Sequence, residues 1–193
     1  NALTHAAVHN TVTVEGRDQM TRAGRFLYVD KAQTHIVSEN QGDDGSWMRL
    51  VAEHDGYRDL DITHRRSVTA QADDYWMVED VVLSPKGQPK PISARLHWLL
   101  PDWTLEIVTS GTRQVELKLK SPHGWISVSI TAEPSKANFQ LVRAGEVIYG
   151  RDPTSPTWGW ISPTYANKQP ALSLSATVSG KLPISFQTQF DLT

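Results

Sequence analysis

Hydrophobic and polar residues alternate almost one by one in four segments in the second half of the chain. These segments are 115–120, 126–131, 172–179 and 184–191. A period of two sends successive side chains to opposite faces of a strand, and one apolar face with one polar face is typical of antiparallel sheets. We therefore predict antiparallel strands in all four segments.

Short turns that contain glycine separate many of the apolar segments. They lie at 110–112, 122–124, 144–146 and 179–181, where glycine permits the positive φ that hairpins often need. Successive strands are therefore predicted to be neighbours in a sheet. The pattern also predicts strands around residues 25–38, 46–53, 60–70, 74–83 and 93–100.

One segment has some helical character. Residues 50–60 are the best helix candidate in the chain, but Asp55-Gly56 interrupts them. Glycine is a poor helix former, and the Asp-Gly pair favours a turn. We therefore predict a strand followed by a turn here.

Two irregular stretches remain, and neither divides the chain. Residues 84–91 are rich in proline and lysine and are predicted to form a surface loop, and residues 152–170 form a longer loop with four prolines. The chain has 193 residues, of which 39% are hydrophobic, and seven tryptophans, which is enough apolar material for a substantial core. We predict an all-β fold, an antiparallel β-sandwich, in a single domain of residues 1–193.

Composition excludes several classes of function. A formal net charge of −2 and a pI near 6.4 argue against binding to nucleic acid. No apolar run approaches the roughly 18 residues that a membrane-spanning helix needs. The absence of cysteine excludes disulfides and thiolate catalysis. Sequence templates for nucleophile elbows, phosphate-binding loops and dinucleotide-binding loops are also missing.

The segment from His9 to Gln19 is the most informative one. It places a histidine immediately before an alternating strand, which ends in a turn at Glu15-Gly16. A histidine at a strand entrance lies near the rim of a sheet, where loops often carry function. From the residues alone, a strand-capping role for His9 is favoured over a metal or active-site role.

The same segment resembles a known family. Its sequence, His-Asn-Thr-Val-Thr-Val-Glu-Gly-Arg-Asp-Gln, is similar to the signature of the heparinase II/III-type polysaccharide lyases, a group that includes alginate and oligoalginate lyases. Segments 24–27, 52–57, 64–66, 96–101 and 159–163 agree in character with members of that group. The resemblance therefore spans most of the chain.

The resemblance implies an architecture and a metal site. Such enzymes have a helical toroid followed by an antiparallel β-sandwich region, in which two histidines and one aspartate hold zinc. His9 matches one of these ligands, and Asn10 could orient it from the outer shell. The other two ligands belong to segments upstream of this motif, and those segments do not occur here. We therefore expect zinc in the full-length protein and no tightly bound zinc in the isolated chain.

The resemblance also implies a function for the longer protein. The catalytic tyrosine and histidine of the family belong to upstream parts, so no catalytic residue is expected in this chain, which looks like the C-terminal part of a larger protein. That protein would act on an acidic polysaccharide by β-elimination, and the family favours a periplasmic or extracellular location. The alternative is a non-catalytic carbohydrate-binding or structural β-sandwich.

Aromatic residues in the long loop are candidates for contact with substrate. Trp158, Trp160 and Tyr165 could stack on sugar rings, but they could also plug the end of the core, and the second interpretation is favoured.

The other histidines are read as structural. Alternation places His64 and Arg66 on one face of a strand and Arg65 on the other, and a solvated face with salt bridges is favoured over a carboxylate-binding site. His97 lies within an apolar strand, where a hydrogen-bonded structural role is the default. His5, His35, His54 and His123 have no partner at a recognisable ligand spacing.

Overall fold

The computed structural model describes residues 2–24, 27–72, 74–87, 91–164 and 166–192. Nearly all regular structure in these residues is β, and every strand pairing is antiparallel. Short 3-10 helices occur at Ala2–Thr4, Ala6–Val8 and Arg58–Leu60. In the described part of the chain, no helix is long and apolar enough to cross a membrane.

Seventeen strands follow one another along the described chain. They are β1 Val12–Val14, β2 Thr21–Arg22, β3 Tyr28–Val29, β4 Thr34–Gln41, β5 Trp47–Tyr57, β6 Ile62–Gln71, β7 Tyr75–Leu83, β8 Ile92–Leu100, β9 Leu105–Ser110, β10 Gln114–Ser121, β11 Gly124–Glu133, β12 Ala137–Arg143, β13 Glu146–Tyr149, β14 Trp160–Ile161, β15 Gln169–Pro170, β16 Leu172–Gly180 and β17 Ile184–Asp191.

Two sheets form the sandwich. The smaller has five strands in the order β1-β8-β16-β12-β13, and the larger has eight in the order β4-β5-β6-β7-β17-β11-β10-β9. Buried side chains from both sheets form one core, in which the Trp98 indole N–H of β8 donates to the Thr188 hydroxyl of β17 at 2.9 Å. The prediction of an all-β antiparallel sandwich is confirmed.

The alternating segment 115–120 lies in strand β10, which pairs with β11 without a register shift. Val115, Leu117 and Leu119 of β10 are fully buried, and β10 pairs with β11 across the predicted turn. Burial of each such side chain contributes about 1.5–3 kcal/mol, so a one-residue slip in register would expose the whole apolar row. This cost explains why a simple period of two is sufficient to specify this part of the fold.

Other strand boundaries differ from the predicted ones. Within the described part of 25–38, only Tyr28–Val29 and the start of β4 are strand, and β5 continues through Asp55-Gly56 instead of turning there. A register shift between His54 and Tyr57 accommodates this irregular end of β5. The bulge lets Tyr57 turn inward, where its hydroxyl donates to the Val12 carbonyl at 2.8 Å.

Candidate functional site

His9 lies at the rim of the sandwich, between the short helix Ala6–Val8 and strand β1, and its side chain is exposed. The backbone around it is firmly held. The His9 carbonyl accepts hydrogen bonds from the Thr11 amide at 2.8 Å and from the His97 ring Nδ1 at 2.9 Å. The backbone of His9 is therefore held in place, and its exposed side chain is accessible to a ligand.

Asn10 connects this rim segment to both sheets. Its carbonyl oxygen accepts from Arg66 Nη1 of the larger sheet at 2.7 Å, and its side-chain oxygen accepts from the Leu99 amide of the smaller sheet at 2.7 Å. The side chain of Asn10 therefore holds the end of β8. The predicted orienting role of Asn10 towards His9 stays a prediction.

His97 is a buried structural histidine, as predicted. Its ring is fully inaccessible to solvent, with Nδ1 facing the His9 carbonyl and Nε2 2.7 Å from the Ser173 hydroxyl. Burial, followed by the charge of Arg95, lowers the pKa of His97 to about 3. The ring is therefore neutral at ordinary pH, with its proton on Nδ1 because the carbonyl can only accept.

A chain of polar side chains runs behind Asn10 on the inner face of the larger sheet. His54 Nε2 lies 3.0 Å from His64 Nδ1, and His64 Nε2 lies 2.6 Å from an oxygen of Asp80. Arg66 contacts the same carboxylate with two nitrogens, at 2.7 and 3.0 Å. We refer to His54, His64, Arg66 and Asp80 as the rim network.

The hydrogen bonds fix the direction of the protons in the rim network. The Gly56 amide donates to His54 Nδ1 at 3.1 Å, so the proton of a neutral His54 is on Nε2. His54 then donates to His64, and His64 donates to Asp80. Both nitrogens of both rings are therefore engaged within the protein.

Burial and charge set the ionisation of the network. Burial, reinforced by the neighbouring His64, lowers the pKa of His54 to about 4. For Asp80, burial opposes ionisation, but the hydrogen bond from His64 together with the charge and hydrogen bonds of Arg66 outweighs it and holds the pKa below its ordinary value. At ordinary pH the network therefore contains an ionised Asp80 beside the Arg66 guanidinium, and a neutral His54.

The predicted alternation of residues 64–66 is confirmed, but the prediction that His64 and Arg66 lie on a solvated face is wrong. His64 and Arg66 do share one face, and Arg65 contacts Glu53 on the other. However, the side chain of His64 is only 3% exposed and Asp80 is fully buried. The missed signal is Asp80, which occupies an inward position between two buried residues, Val78 and Val82.

Three of the other histidines also have close partners. His5 lies beside Asp18, His35 beside Glu53, and His54 beside His64.

Small cavities lie beside this network. One of about 170 Å³ is lined by Thr11, Gln19, Thr34, Ala52, Glu53, His54, His64 and Arg66. A second of about 240 Å³ contains His9 and shares Thr11 and Gln19 with the first. The rim network and His9 thus border adjoining spaces.

No zinc ligand set surrounds His9 in the described residues. Among them, no three histidine, cysteine, aspartate or glutamate side chains are placed to hold a metal ion. A zinc site that includes His9 would need at least one further ligand from outside the described residues, since a protein zinc site uses at least three side chains. The zinc expectation concerns the full-length protein and stays a prediction.

The loop tryptophans are both half-buried beside cations. The Arg95 guanidinium lies 4.0 Å from the Trp158 ring centroid, and burial lowers the pKa of Arg95 to about 10. The Lys168 ammonium lies 3.6 Å from the Trp160 ring centroid, so a sugar would have to displace this lysine from that ring face. Tyr165 lies outside the described residues. A role in substrate binding stays a prediction for all three.

Solved structures share this fold. A heparinase III structure is 17% identical with a TM-score of 0.66, over 97% of this chain and 24% of that chain. Heparan sulfate lyase from Pedobacter heparinus is 13% identical with a TM-score of 0.64, over 97% of this chain and 25% of that chain. No curated protein matches the sequence significantly. The chain thus spans about a quarter of the length of these structures.

These observations define the class of the protein: it is a two-sheet antiparallel β-sandwich that shares its fold with part of the heparinase III structures. A family model described as heparinase II/III-like, C-terminal, matches residues 1–191. The chain belongs to this family.

Proposed function

We propose that this chain is the C-terminal β-sandwich of a polysaccharide lyase that cleaves uronic-acid-containing glycans by β-elimination, and that it is not catalytically complete alone. The family match over residues 1–191 carries the proposal. The preceding part of the protein would supply a helical toroid and the reacting groups. The names of the structural neighbours, heparinase III and heparan sulfate lyase, support an acidic glycan as the substrate class.

The chemistry requires three groups in one cleft. A base removes the proton α to the uronate carboxylate, an acid protonates the departing glycosidic oxygen, and a cation or hydrogen-bond donor stabilises the negative charge. The histidines of the rim network do not suit the first two roles, because their ring nitrogens are already bonded within the protein. This engagement supports a division of labour in which the sandwich positions the cleft.

Detection of the unsaturated product tests the proposal. A new C4–C5 double bond absorbs in the ultraviolet at roughly 230 nm, so proton abstraction can be followed directly. The full-length protein should produce this absorbance with at least one of heparin-like, alginate-like or other uronic-acid glycans, and the isolated chain should not. Product from the isolated chain would contradict the division of labour. Failure of the full-length protein on every acidic glycan would favour a carbohydrate-binding or structural sandwich.

A further proposal is that His9 supplies one of the zinc ligands in the full-length protein. Zinc would hold the rim against the preceding part, while Thr11, His97 and Arg66 fix the backbone that carries His9. The isolated chain should bind zinc weakly or not at all, and the full-length protein should lose its zinc on His9→Ala. Calorimetry on both proteins measures this. Tight, stoichiometric zinc in the isolated chain would contradict the ligand assignment.

A further inference from the structure

The two sheets of the sandwich have different widths, and the wider one projects beyond its partner at strands β4 and β5. The larger sheet ends with β4-β5-β6-β7, whereas the smaller sheet ends at the three-residue strand β1. Contacts between the sheets at this end come from Tyr57 to Val12 and from Arg66 to the Asn10 backbone. The Tyr57 contact places β1 over the end of β5, and the contacts of Arg66 place Asn10 and the Trp98 ring of β8 over the middle of β6.

The strand register shows which side chains face inward on the projecting strands. Leu50 pairs with Val68, which pairs with the buried Val78, so these three residues share the inner face. In the next row, Met48 and Trp76 flank Ala70 on the same face. In the row of the buried Asp80, Ile36 pairs with Ala52, which pairs with Arg66.

This inner face is open and largely apolar, with Glu39 and Gln41 along its β4 edge, where they pair with Leu50 and Met48. We call Ile36, Met48, Leu50 and Trp76 the overhang. Their exposed fractions are 64%, 49%, 39% and 40%, although the same face is closed further along the sheet at Val78 and Val82. A contiguous exposed apolar surface of this kind marks an interaction site more often than scattered exposed residues do.

The free edge of β1 does not offer a simple way to cover the overhang by adding a strand. The carbonyls of Val12 and Val14, which point away from β8, accept hydrogen bonds from the Tyr57 hydroxyl and the Arg17 amide. This edge is therefore already capped. An occupant of the overhang must pack on its face with side chains.

We propose that the overhang is the docking surface for an apolar face of the part of the same polypeptide that precedes residue 1 in the full-length protein. The inference rests on the proposed function for the existence of that part. Three observations favour this occupant over others: the location of the N-terminal segment, the lengths of the related structures and the chemistry of the surface.

The N-terminal segment lies at the margin of the overhang. Thr4 and Ala6 border a cavity together with Thr11 and Gln19. Thr11 and Gln19 also border the next cavity, which is closed on its other side by Thr34 and Ala52, the neighbours of Ile36. A preceding segment would therefore start next to this surface, and the covalent connection would give it a high effective concentration there.

The related structures have enough additional chain to cover such a surface. This chain aligns over 97% of its own length with only 24% of the heparinase III chain. The four overhang side chains carry no charge, and the bordering Glu39 is acidic, so the surface suits a protein face better than an acidic glycan.

Cysteine labelling in the full-length protein tests the inference. The 193 residues contain no cysteine, so Met48→Cys introduces a single thiol on the overhang. Asn40→Cys is the matched control, because Asn40 is exposed on the outer face of the adjacent strand and pairs with Arg49, the next residue after Met48. The rate of alkylation at each thiol is measured by peptide mass spectrometry and normalised to the rate in the urea-unfolded protein.

A covered overhang predicts that the thiol of the Met48→Cys variant reacts at least about tenfold more slowly than that of the Asn40→Cys variant, because the reagent must wait for local opening of the interface. This protection should not change on dilution. Equal rates would overturn the inference, and protection that disappears on dilution would assign the surface to a second copy instead. If Met48→Cys does not fold, Ile36→Cys replaces it on the same face.

The outcome is independent of the ultraviolet assay for β-elimination. A protected thiol at position 48 in a protein without lyase activity would leave the docking surface standing and remove the proposed function. An active lyase with a freely reactive thiol at this position would support the proposed function and overturn the docking surface.

Discussion

Strand β10 of the larger sheet and the rim around His9 bury their side chains in opposite ways. At β10, apolar side chains such as Leu117 face inward and charged ones such as Lys118 face solvent. At the rim, the inner face of the same sheet contains Asp80 and His64, both nearly inaccessible to solvent. Burial of apolar groups is favourable in itself, whereas buried polar groups are tolerated only when each has a partner.

The rim meets this requirement through a closed set of partners. Asp80 accepts from His64 and Arg66, and Arg66 also reaches the Asn10 backbone. The network thereby connects the interior of the larger sheet to the segment that carries His9. Well-packed apolar residues often stabilise a core as well as a buried ion pair does, so we infer that the polar arrangement serves to position the rim segment.

The largest expected effect comes from breaking the rim network at its carboxylate. Asp80→Ala would leave the buried His64 N–H and the partly buried Arg66 without their acceptor, and should reduce the free energy of unfolding by about 3 kcal/mol, as for other broken buried pairs. Urea denaturation measures the change. Glu106→Ala, at an exposed position of β9, is the control and should change stability by less than about 0.5 kcal/mol. A loss below about 1 kcal/mol for Asp80→Ala would show that the network does not hold the rim.

The same contrast explains what the sequence can predict. The alternation at β10 specifies its own inner face, because each residue needs only its neighbours two positions away to define the pattern. The alternation in Ala137, Phe139 and Leu141 carried the same information for β12, which was not predicted. Local patterns therefore account for the sheets.

The rim could not be predicted in this way. His97 and His9 are separated by 88 residues, and Arg66 and Asn10 by 56. Contacts over such separations depend on the order of strands in the sheets, which local spacing does not encode. The only local signal was an aspartate at an inward position, Asp80, and it becomes meaningful once His64 and Arg66 are known to face the same side.

A smaller effect is expected from pH. The pKa of His54 is lowered from 6.5 to about 4, so between these values the unfolded chain binds the proton more readily than the folded chain. Its contribution to stability is therefore complete above about pH 6.5 and is lost as the pH falls towards 4. After a discount for the partial exposure of the ring, we expect a loss of about 1–2 kcal/mol.

The variant His54→Gln isolates this contribution, because glutamine can still donate to His64 but does not titrate. Urea denaturation from about pH 7 to about pH 4 should show a shallower loss of stability in the variant than in the unaltered chain. His123→Gln, at an exposed turn position, is the control for a histidine-to-glutamine change at the surface. Parallel curves for the unaltered chain and His54→Gln would show that His54 titrates normally and is not desolvated.

The smallest effect is expected at His9 itself. Its side chain is exposed, and the contacts of this residue that hold the rim use its backbone carbonyl, which alanine keeps. His9→Ala should therefore change the free energy of unfolding of this chain by less than about 0.5 kcal/mol. His97→Ala is the contrasting variant, because it removes the donor to the same carbonyl from a fully buried position and should cost several times more. A loss at His9 as large as that at His97 would mean that the exposed imidazole stabilises the rim directly, and would remove the physical basis for assigning it to a ligand.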